Sequence, residues 1–535
     1  MSLLRAAGAV SVLTLASRIL GLVRDVVTYH VFGTSWVSGA FVLAWMVPNL
    51  LRRLFGEGAL SAAFVPAFAR ARVQEQGESR ARDLLASVSG ALITGLAVVC
   101  AIVVVVGLVV PPEWWHLESG KGTQTVSSAE VGNLFRHLLA ILFPYVLPVC
   151  VLAVWTGALN ALGVFSPSAT APIVLNLFWL GALGVLHARG TDDLPAAAHF
   201  VAWVLLLGGF AQLLLAAIPL RRRGFLPRPR WPRHGDGARA VFIAMLPTAF
   251  GMSVVQLNVL LDQSIAAWMI GAEANNYVYL ANRLLLFPHA LVALPLATVV
   301  FPTLALHASQ DDHHSLRASL DRALSITMLL AVPAAVGLAA VCDDLLSVAF
   351  VHGRYTQADA DTTRWTTITL VAGLPAIGSS QLLARALFAL GDTKTPARYS
   401  AWLVAANVAL NLFFVGVLHL GVAGLTAATS ICAYGNSIAL RIAVARRIGH
   451  SPVEGRAIIR TLIASAVMGA AILGLAALHG PGASGTSRLL FGLVIPIVVG
   501  IGVWVAVLHL LRSPELRELR ARIAARRARR TRRAP

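Results

Sequence analysis

The stretch ALITGLAVVCAIVVVVGLVV, from Ala91 to Val110, carries no charge on any side. As a helix it is long enough to cross a hydrocarbon layer of about 30 Å. A helix apolar all the way round has no water-facing side, so it belongs in a core or in a bilayer. Comparable stretches recur to the C-terminus, too many for any one soluble core to hold. In lipid, backbone groups must bond within their own segment, which leaves helices for runs of this length. The expected fold is therefore an all-α polytopic membrane protein. Composition agrees: 57% of residues are hydrophobic and 13% charged, about half the charged share of a soluble domain, with a mean hydropathy of +0.76.

The apolar stretches place transmembrane helices over 7–30, 38–66, 85–110, 132–160, 165–187, 196–220, 240–268, 275–306, 320–349, 364–390, 396–416, 420–445, 457–479 and 487–511, fourteen in all. The connections alternate in character. ARARVQEQGESRARD, RRRGFLPRPRWPRHGDGAR, DTKTPAR, ARRIGHSPVEGR and the tail RSPELRELRARIAARRARRTRRAP are rich in arginine and lysine. PPEWWHLESGKGTQTVSSAE, ARGTDDLP and HGPGASGTSR are poor in both. Positive charge stays on the cytoplasmic side, so both termini are expected in the cytoplasm, which an even number of spans allows. The net charge of +19 then reflects topology and membrane lipids rather than nucleic acid, since no folded soluble module surrounds the arginines. The first span is read as retained, with no cleavage site followed by a polar mature domain. Cys100, Cys150, Cys342 and Cys432 are isolated and are read as packing residues.

The chain repeats itself. GALNALGVFSPSATAPIVLNLFWLG (Gly157–Gly181) matches RALFALGDTKTPARYSAWLVAANVALNLFFVG (Arg385–Gly416) in an AL-x-AL-G end, a proline-bearing loop and an LNLF run. AFVPAFA (Ala63–Ala69) pairs with VVFPTLA (Val299–Ala305), and Asp25 before Gly33 with Asp262 before Gly271. Two six-helix lobes are thus expected, related by a pseudo-two-fold along the membrane normal. The boundaries are 1–220 for the first lobe, 221–239 for a basic cytoplasmic linker and 240–450 for the second lobe. Two additional helices follow in 451–511 and a basic cytoplasmic tail in 512–535. No Walker motif, nucleophile elbow or zinc signature is present, so a transporter rather than an enzyme is expected.

Charges inside the spans narrow the reading. A charged side chain at mid-membrane costs about 2.5–3.5 kcal/mol on insertion scales, so it faces a cavity or a partner. Arg18, Arg24 and Asp25 lie in the first span, Arg52, Arg53 and Glu57 in the second, and Asn282 with Arg283 in the eighth. Arg53 and Glu57 are one helical turn apart and could neutralise one another. Arg18 and Asp25, seven apart, share a face and could do so through an intermediate. Five arginines against two acids leave positive charge over, which suits an anionic ligand. Arginine's planar fork gives bidentate bonds to phosphate or carboxylate. Pro48, Gly56 and Gly58 should bend the second span where its arginines sit.

SRILGLVRD (Ser17–Asp25), PNLLRRLFGEGALSAAFVPAF (Pro48–Phe68), ANRLLLFPHALVALPLATVVFPTLA (Ala281–Ala305) and ALFALGDTKTP (Ala386–Pro396) together resemble the MurJ/MviN lipid II flippase family. That family is part of the multidrug/oligosaccharidyl-lipid/polysaccharide exporter superfamily. The resemblance runs along the whole chain. It implies a bacterial cytoplasmic (inner) membrane flippase that carries undecaprenyl-pyrophosphate-linked peptidoglycan precursor, lipid II, outward by alternating access, with no cofactor. It also implies that Arg18, Arg24, Arg52 and Arg283 are the cavity arginines, with Arg53 beside them. Asp25, Glu57 and Asn282 would serve gating ion pairs, and the last two helices would form a groove for the lipid tail. Peptidoglycan synthases are the implied protein partners.

The chain departs from the family at Gly39, where an acidic residue is frequent, at Met46, where a polar one is, and at Asn282, where aspartate is. Some relatives hold Na+; here Asp262, Asn407, Asn411 and Thr426 are the matching oxygen donors. Interhelical hydrogen bonding is the equal alternative for them, and either Na+ or H+ could be the coupling ion. His289, His313 and His314 have no metal-ligand spacing. Two other functions stay open: a flippase for another polyprenyl-linked saccharide, and a non-transporting scaffold for cell-wall enzymes.

Overall fold

A computed structural model describes residues 3–53, 60–74, 77–115, 117, 119, 126–190, 192–231, 237–449, 455–478, 485 and 487–513. Among these residues the chain is helical and has no strand. The helices are α1 (Leu3–Phe32), α2 (Trp36–Leu51), α3 (Leu60–Val73), α4 (Gly77–Val109), α5 (Ser128–Leu142), α6 (Val146–Ala161), α7 (Ser166–Arg189), α8 (Leu194–Arg222) and α9 (Ala238–Met269). Then come α10 (Ala274–Ser309), α11 (His313–Ala349), α12 (Gln357–Val371), α13 (Leu374–Ala389), α14 (Lys394–Leu412), α15 (Gly421–Ile448), α16 (Gly455–Ala477) and α17 (Ile495–Leu510). Nine described segments are long and apolar enough to cross a membrane. Among the helices outside that set, α1 carries Arg18, Arg24 and Asp25, and α2 has only 16 residues.

The expected second span, 38–66, is described over 38–53 and 60–66. α2 ends at Leu51, Arg52 and Arg53 lie in a wider π-type turn, and α3 starts at Leu60. Glu57, Gly56 and Gly58 fall outside the described residues. Conversely, 132–160 and 364–390 are each built from two helical pieces joined through Pro144 and near Pro375, since proline cannot continue the bonding ladder.

The chain divides into two compact units, residues 1–276 with 352–355, and residues 277–351 with 356–535. In the first, α1 packs on α7, α7 on α8, and α2 on α5, while α3 packs against α4, α6 and α9. One apolar core joins Phe41, Trp45, Phe135, Leu138, Tyr145 and Trp179. A second joins Phe64, Phe68, Leu85, Trp155 and Leu159. α4 shows the membrane pattern in its plainest form: its most apolar window is only 17% buried within the protein, so its apolar side chains point outward.

In the second unit α11 is the central post, in contact with α12, α13 and α16. α16 and the π-helical turn 488–494 that leads into α17 pack on it, with Met468, Ile472 and Leu493 gathered with Val341 of α11. Arg488 fastens this turn by donating from Nε to Asp344 Oδ1 at 2.9 Å and from Nη2 to Asp343 Oδ2 at 3.2 Å. One guanidinium across two partly buried carboxylates is a charge-assisted bond of above-average strength. Arg488→Ala is expected to lower stability by about 1–3 kcal/mol, read as a lower unfolding temperature of the detergent-purified protein; an unchanged temperature would remove the clamp from the account. The ALGDTKTP motif is also structural: Asp392 caps α14 through the Thr395 N–H at 2.9 Å and takes Arg447 Nη2 at 2.6 Å. Burial opposes ionisation of Asp392, but the Thr395 hydrogen bonds and Arg447 outweigh it and hold the carboxyl below its usual range. Its contribution therefore persists at neutral pH and fades only as pH falls through that lowered value.

Candidate functional site

The charged centre of the first unit is built on α1 and α7. Adjacent residues on a helix point about 100° apart, yet Arg24 curls back onto its neighbour. Its Nε and Nη2 donate to Asp25 Oδ1 at 3.0 and 2.6 Å. Nη1 donates to Asn176 Oδ1 at 3.2 Å, and Asn176 Nδ2 donates in turn to the Ser17 carbonyl at 3.2 Å. The guanidinium carbon lies 4.4 Å from the Trp179 ring centroid. Asn176 and Trp179 are three residues apart, hence on one face of α7. Trp179 is braced by Phe41 and Trp45, with centroids at 5.7 and 5.4 Å. The result is a buried cation held by a carboxylate, an amide and an aromatic face, each a recognised partner for arginine.

The spacing on α1 left open a link from Arg18 to Asp25 through an intermediate, and the arginines as a group were expected to carry surplus charge. Arg24 instead takes Asp25 itself and is only 8% exposed. Arg18 is exposed. Arg52, half-buried, donates from Nε to Asn49 Oδ1 at 3.0 Å, and Arg53 beside it is half-buried as well. The pairing expected between Arg53 and Glu57 involves a residue outside those described. Arg283 lies in the second unit, half-buried on α10. Its neighbour Asn282 turns its amide back to the Val278 carbonyl at 2.9 Å, within its own helix.

Two of the departures noted in the sequence have packing explanations. A Cβ at Gly39 would overlap the carbonyl oxygen of Ala272 and stand 2.9 Å from the Glu273 nitrogen. α2 therefore touches the 271–276 segment backbone to backbone. Ser38 Oγ donates to Asn276 Oδ1 at 2.8 Å, Asn276 Nδ2 to the Ser35 carbonyl at 3.3 Å, and Tyr29 Oη to the Asn276 carbonyl at 3.3 Å. Met46 packs against the first core.

Of the oxygen donors considered for a cation, Asp262 is in the first unit and accepts from Asn258 Nδ2 at 3.2 Å. Asn407, Asn411 and Thr426 are in the second and buried. Asn411 Nδ2 donates to Asn407 Oδ1 at 3.1 Å, Asn407 Nδ2 to Thr429 Oγ1 at 3.4 Å, and the Thr426 and Thr369 hydroxyls are hydrogen-bonded at 2.6 Å. These are bonds between α12, α14 and α15 and within α14. The donors are hard oxygens of the kind Na+ accepts. His289 bonds Gln381 across α10 and α13 at 3.2 Å. No group of three or more His, Cys, Asp or Glu residues gathers among the described residues.

Asn176 and Trp179 were not singled out from the sequence as functional. The signal was present: LNLF occurs once in each half, and its asparagine is Asn176 in one and Asn411 in the other. Both are buried and both carry hydrogen bonds at the polar heart of their unit.

Helical throughout its described residues and multi-pass, the chain has the fold of membrane transporters. An inward-facing multidrug resistance MATE family transporter of the MOP superfamily superposes with a TM-score of 0.60 at 14% identity, over 83% of this chain and 99% of that one. The chain belongs to the lipid II flippase MurJ family, whose model matches residues 28–494. A probable lipid II flippase MurJ of Haemophilus influenzae is 31% identical over 473 residues, 86% of this chain and 90% of that protein. The solved inward closed conformation of a lipid II flippase MurJ superposes with a TM-score of 0.74 at 24% identity, covering 96% of this chain and 99% of that one.

Proposed function

We propose that this chain moves lipid II across the bacterial inner membrane by alternating access. Arg18, Arg24, Arg52, Arg53 and Arg283 hold the anionic headgroup. Family membership supports the cargo. The observation that carries the residue assignment is Arg24: a buried guanidinium whose carboxylate partner is the next residue of its own helix. A diphosphate offers the same fork more oxygens and more charge than Asp25 does, so substrate can replace the carboxylate without the helices separating. Asp25 bound to Arg24 marks the empty state, and Asp25 released marks the loaded one.

The rest of the reading follows from the sequence. Fourteen crossings with both termini in the cytoplasm form two six-helix lobes, and the C-terminal helix pair offers the polyprenyl chain an apolar seat outside the polar chamber. Na+ or H+ is the coupling ion, with Asn407, Asn411 and Thr426 as the oxygen donors of the second unit. Cell-wall synthases receive the product.

Complementation tests this. In a cell depleted of its own lipid II flippase, the wild-type chain should restore growth. Arg18→Ala, Arg24→Ala, Arg52→Ala and Arg283→Ala should each fail or nearly fail at equal expression, since one charge-assisted contact is worth about 1.5–3 kcal/mol, or roughly 10- to 100-fold. Full growth with Arg52→Ala and Arg283→Ala combined would defeat the assignment.

A further inference from the structure

Four residues of the connection between α11 and α12, His352–Tyr355, pack with the first unit, while Val351 and Thr356 on either side belong to the second. Both flanks are firmly set. Phe350 and Val351 donate their N–H groups to the Leu346 carbonyl at the end of α11. Thr356 and Asp359 form a capping box that starts α12, and Asp359 accepts from Tyr277 Oη at 2.8 Å. The segment is thus a short turn between fixed ends, not a loose loop.

The segment meets the end of α1. The Arg354 N–H donates to the His30 carbonyl at 3.1 Å, at the end of α1. Tyr355 is 1% exposed and meets Tyr29, also 1% exposed, edge to face at 5.9 Å. Two glycines let the backbones close on each other. A Cβ at Gly33 would stand 2.7 Å from the Arg354 carbonyl oxygen, and one at Gly353 would stand 2.6 Å from His30 Nδ1. Both have positive φ, +58° and +64°, where other residues are strained. The Arg354–Asp192 pair at 3.3 Å lies at the surface and adds little.

We propose that His352–Tyr355 is a strap that buckles onto the end of α1 and holds it in the arrangement seen here, and that each transport cycle requires the buckle to open. The proposal rests on the alternating-access reading above. The same end of α1 is bonded through Tyr29 to Asn276, so releasing the strap frees one side of a knot whose other side is the 271–276 segment. A four-residue turn with fixed flanks cannot follow α1 if α1 moves; it must let go.

Two measurements on the full chain in lipid vesicles decide it. In His30→Cys/Arg354→Cys, a short bis-thiosulfonate reagent should bridge the hydrogen-bonded positions and cut transport of lipid II to about a tenth or less, because one state is removed from the cycle. Reductant should restore it. The native cysteines interfere little, three being buried and Cys432 half-buried. Undiminished transport by the bridged protein, alongside an active wild type, would overturn the strap and leave the flippase reading intact. Failure of the pair to bridge at all would overturn it too. The second measurement needs no transport: labelling of Tyr355→Cys by a membrane-impermeant maleimide should quicken about ten-fold when Gly33→Ala is added. Gly190→Ala controls for backbone strain, since Gly190 also has positive φ but nothing within 4 Å of its Cβ position. Equal quickening by both substitutions would refute the buckle, whatever the cargo proves to be. A wild type inactive in transport would sink the flippase reading, and the labelling result would then stand alone.

Discussion

Asp25→Ala should cost about 3–5 kcal/mol of stability, the range for removing one partner of a buried ion pair. Arg24 and Asp25 are 8% and 3% exposed, and their two hydrogen bonds are 3.0 and 2.6 Å long. Without the carboxylate the guanidinium keeps Asn176 and the Trp179 face, but neither carries negative charge. The desolvated cation then loses the carboxylate that sits closest to it, in a medium where charge is poorly screened. Arg24→Met/Asp25→Ala should recover much of the loss, because an apolar side chain of similar length can lie on Trp179. A thermal unfolding series in detergent separates the cases. If Asp25→Ala and the double substitution unfold at the same temperature as wild type, the pair does not stabilise the α1–α7 centre.

Gly39→Asp should be among the most damaging single changes in α2. The obstruction is backbone on both sides: the Ala272 carbonyl oxygen and the Glu273 nitrogen. Neither can give way without moving the 271–276 segment, which is tied by Ser38, Ser35, Tyr29 and the Ser119–Glu273 contact at 2.6 Å. Gly39→Ala already demands this shift and should cost about 1–3 kcal/mol as overpacking does. Aspartate adds a carboxylate next to Glu273, so its cost should be larger. The arrangement seen here should be depleted in both, visible as faster thiol labelling of Tyr29→Cys or Tyr277→Cys, which are 1% exposed in the parent. Wild-type labelling rates in Gly39→Ala would show that α2 and this segment do not need to touch.

Much of this was legible from residue order because the governing physics is local. A run such as Ala91–Val110 has one stable conformation in lipid, and α4 covers nearly all of it. Ser127 with Glu130 and Thr356 with Asp359 form capping boxes that the reading of the sequence did not single out. The second span was half legible: Pro48 suggested a bend, but α2 passes through Pro48 to Leu51. The Arg24 centre was less visible. That Arg24 would choose the adjacent Asp25 depends on Asn176 and Trp179, which are 152 and 155 positions away and say nothing of arginine by themselves. The strap was invisible, for HGRY is an ordinary turn sequence until its glycines are seen against α1.

The central claim is that arginine side chains of the membrane interior hold the anionic head of the lipid. Its most direct test is the affinity of lipid II for the purified chain in nanodiscs, wild type against Arg52→Ala, Arg283→Ala and their lysine counterparts. Each alanine should weaken binding by roughly 10- to 100-fold, and each lysine by less, since lysine keeps the charge and loses the fork. Equal affinity across the whole series, in protein that remains folded, would contradict the account.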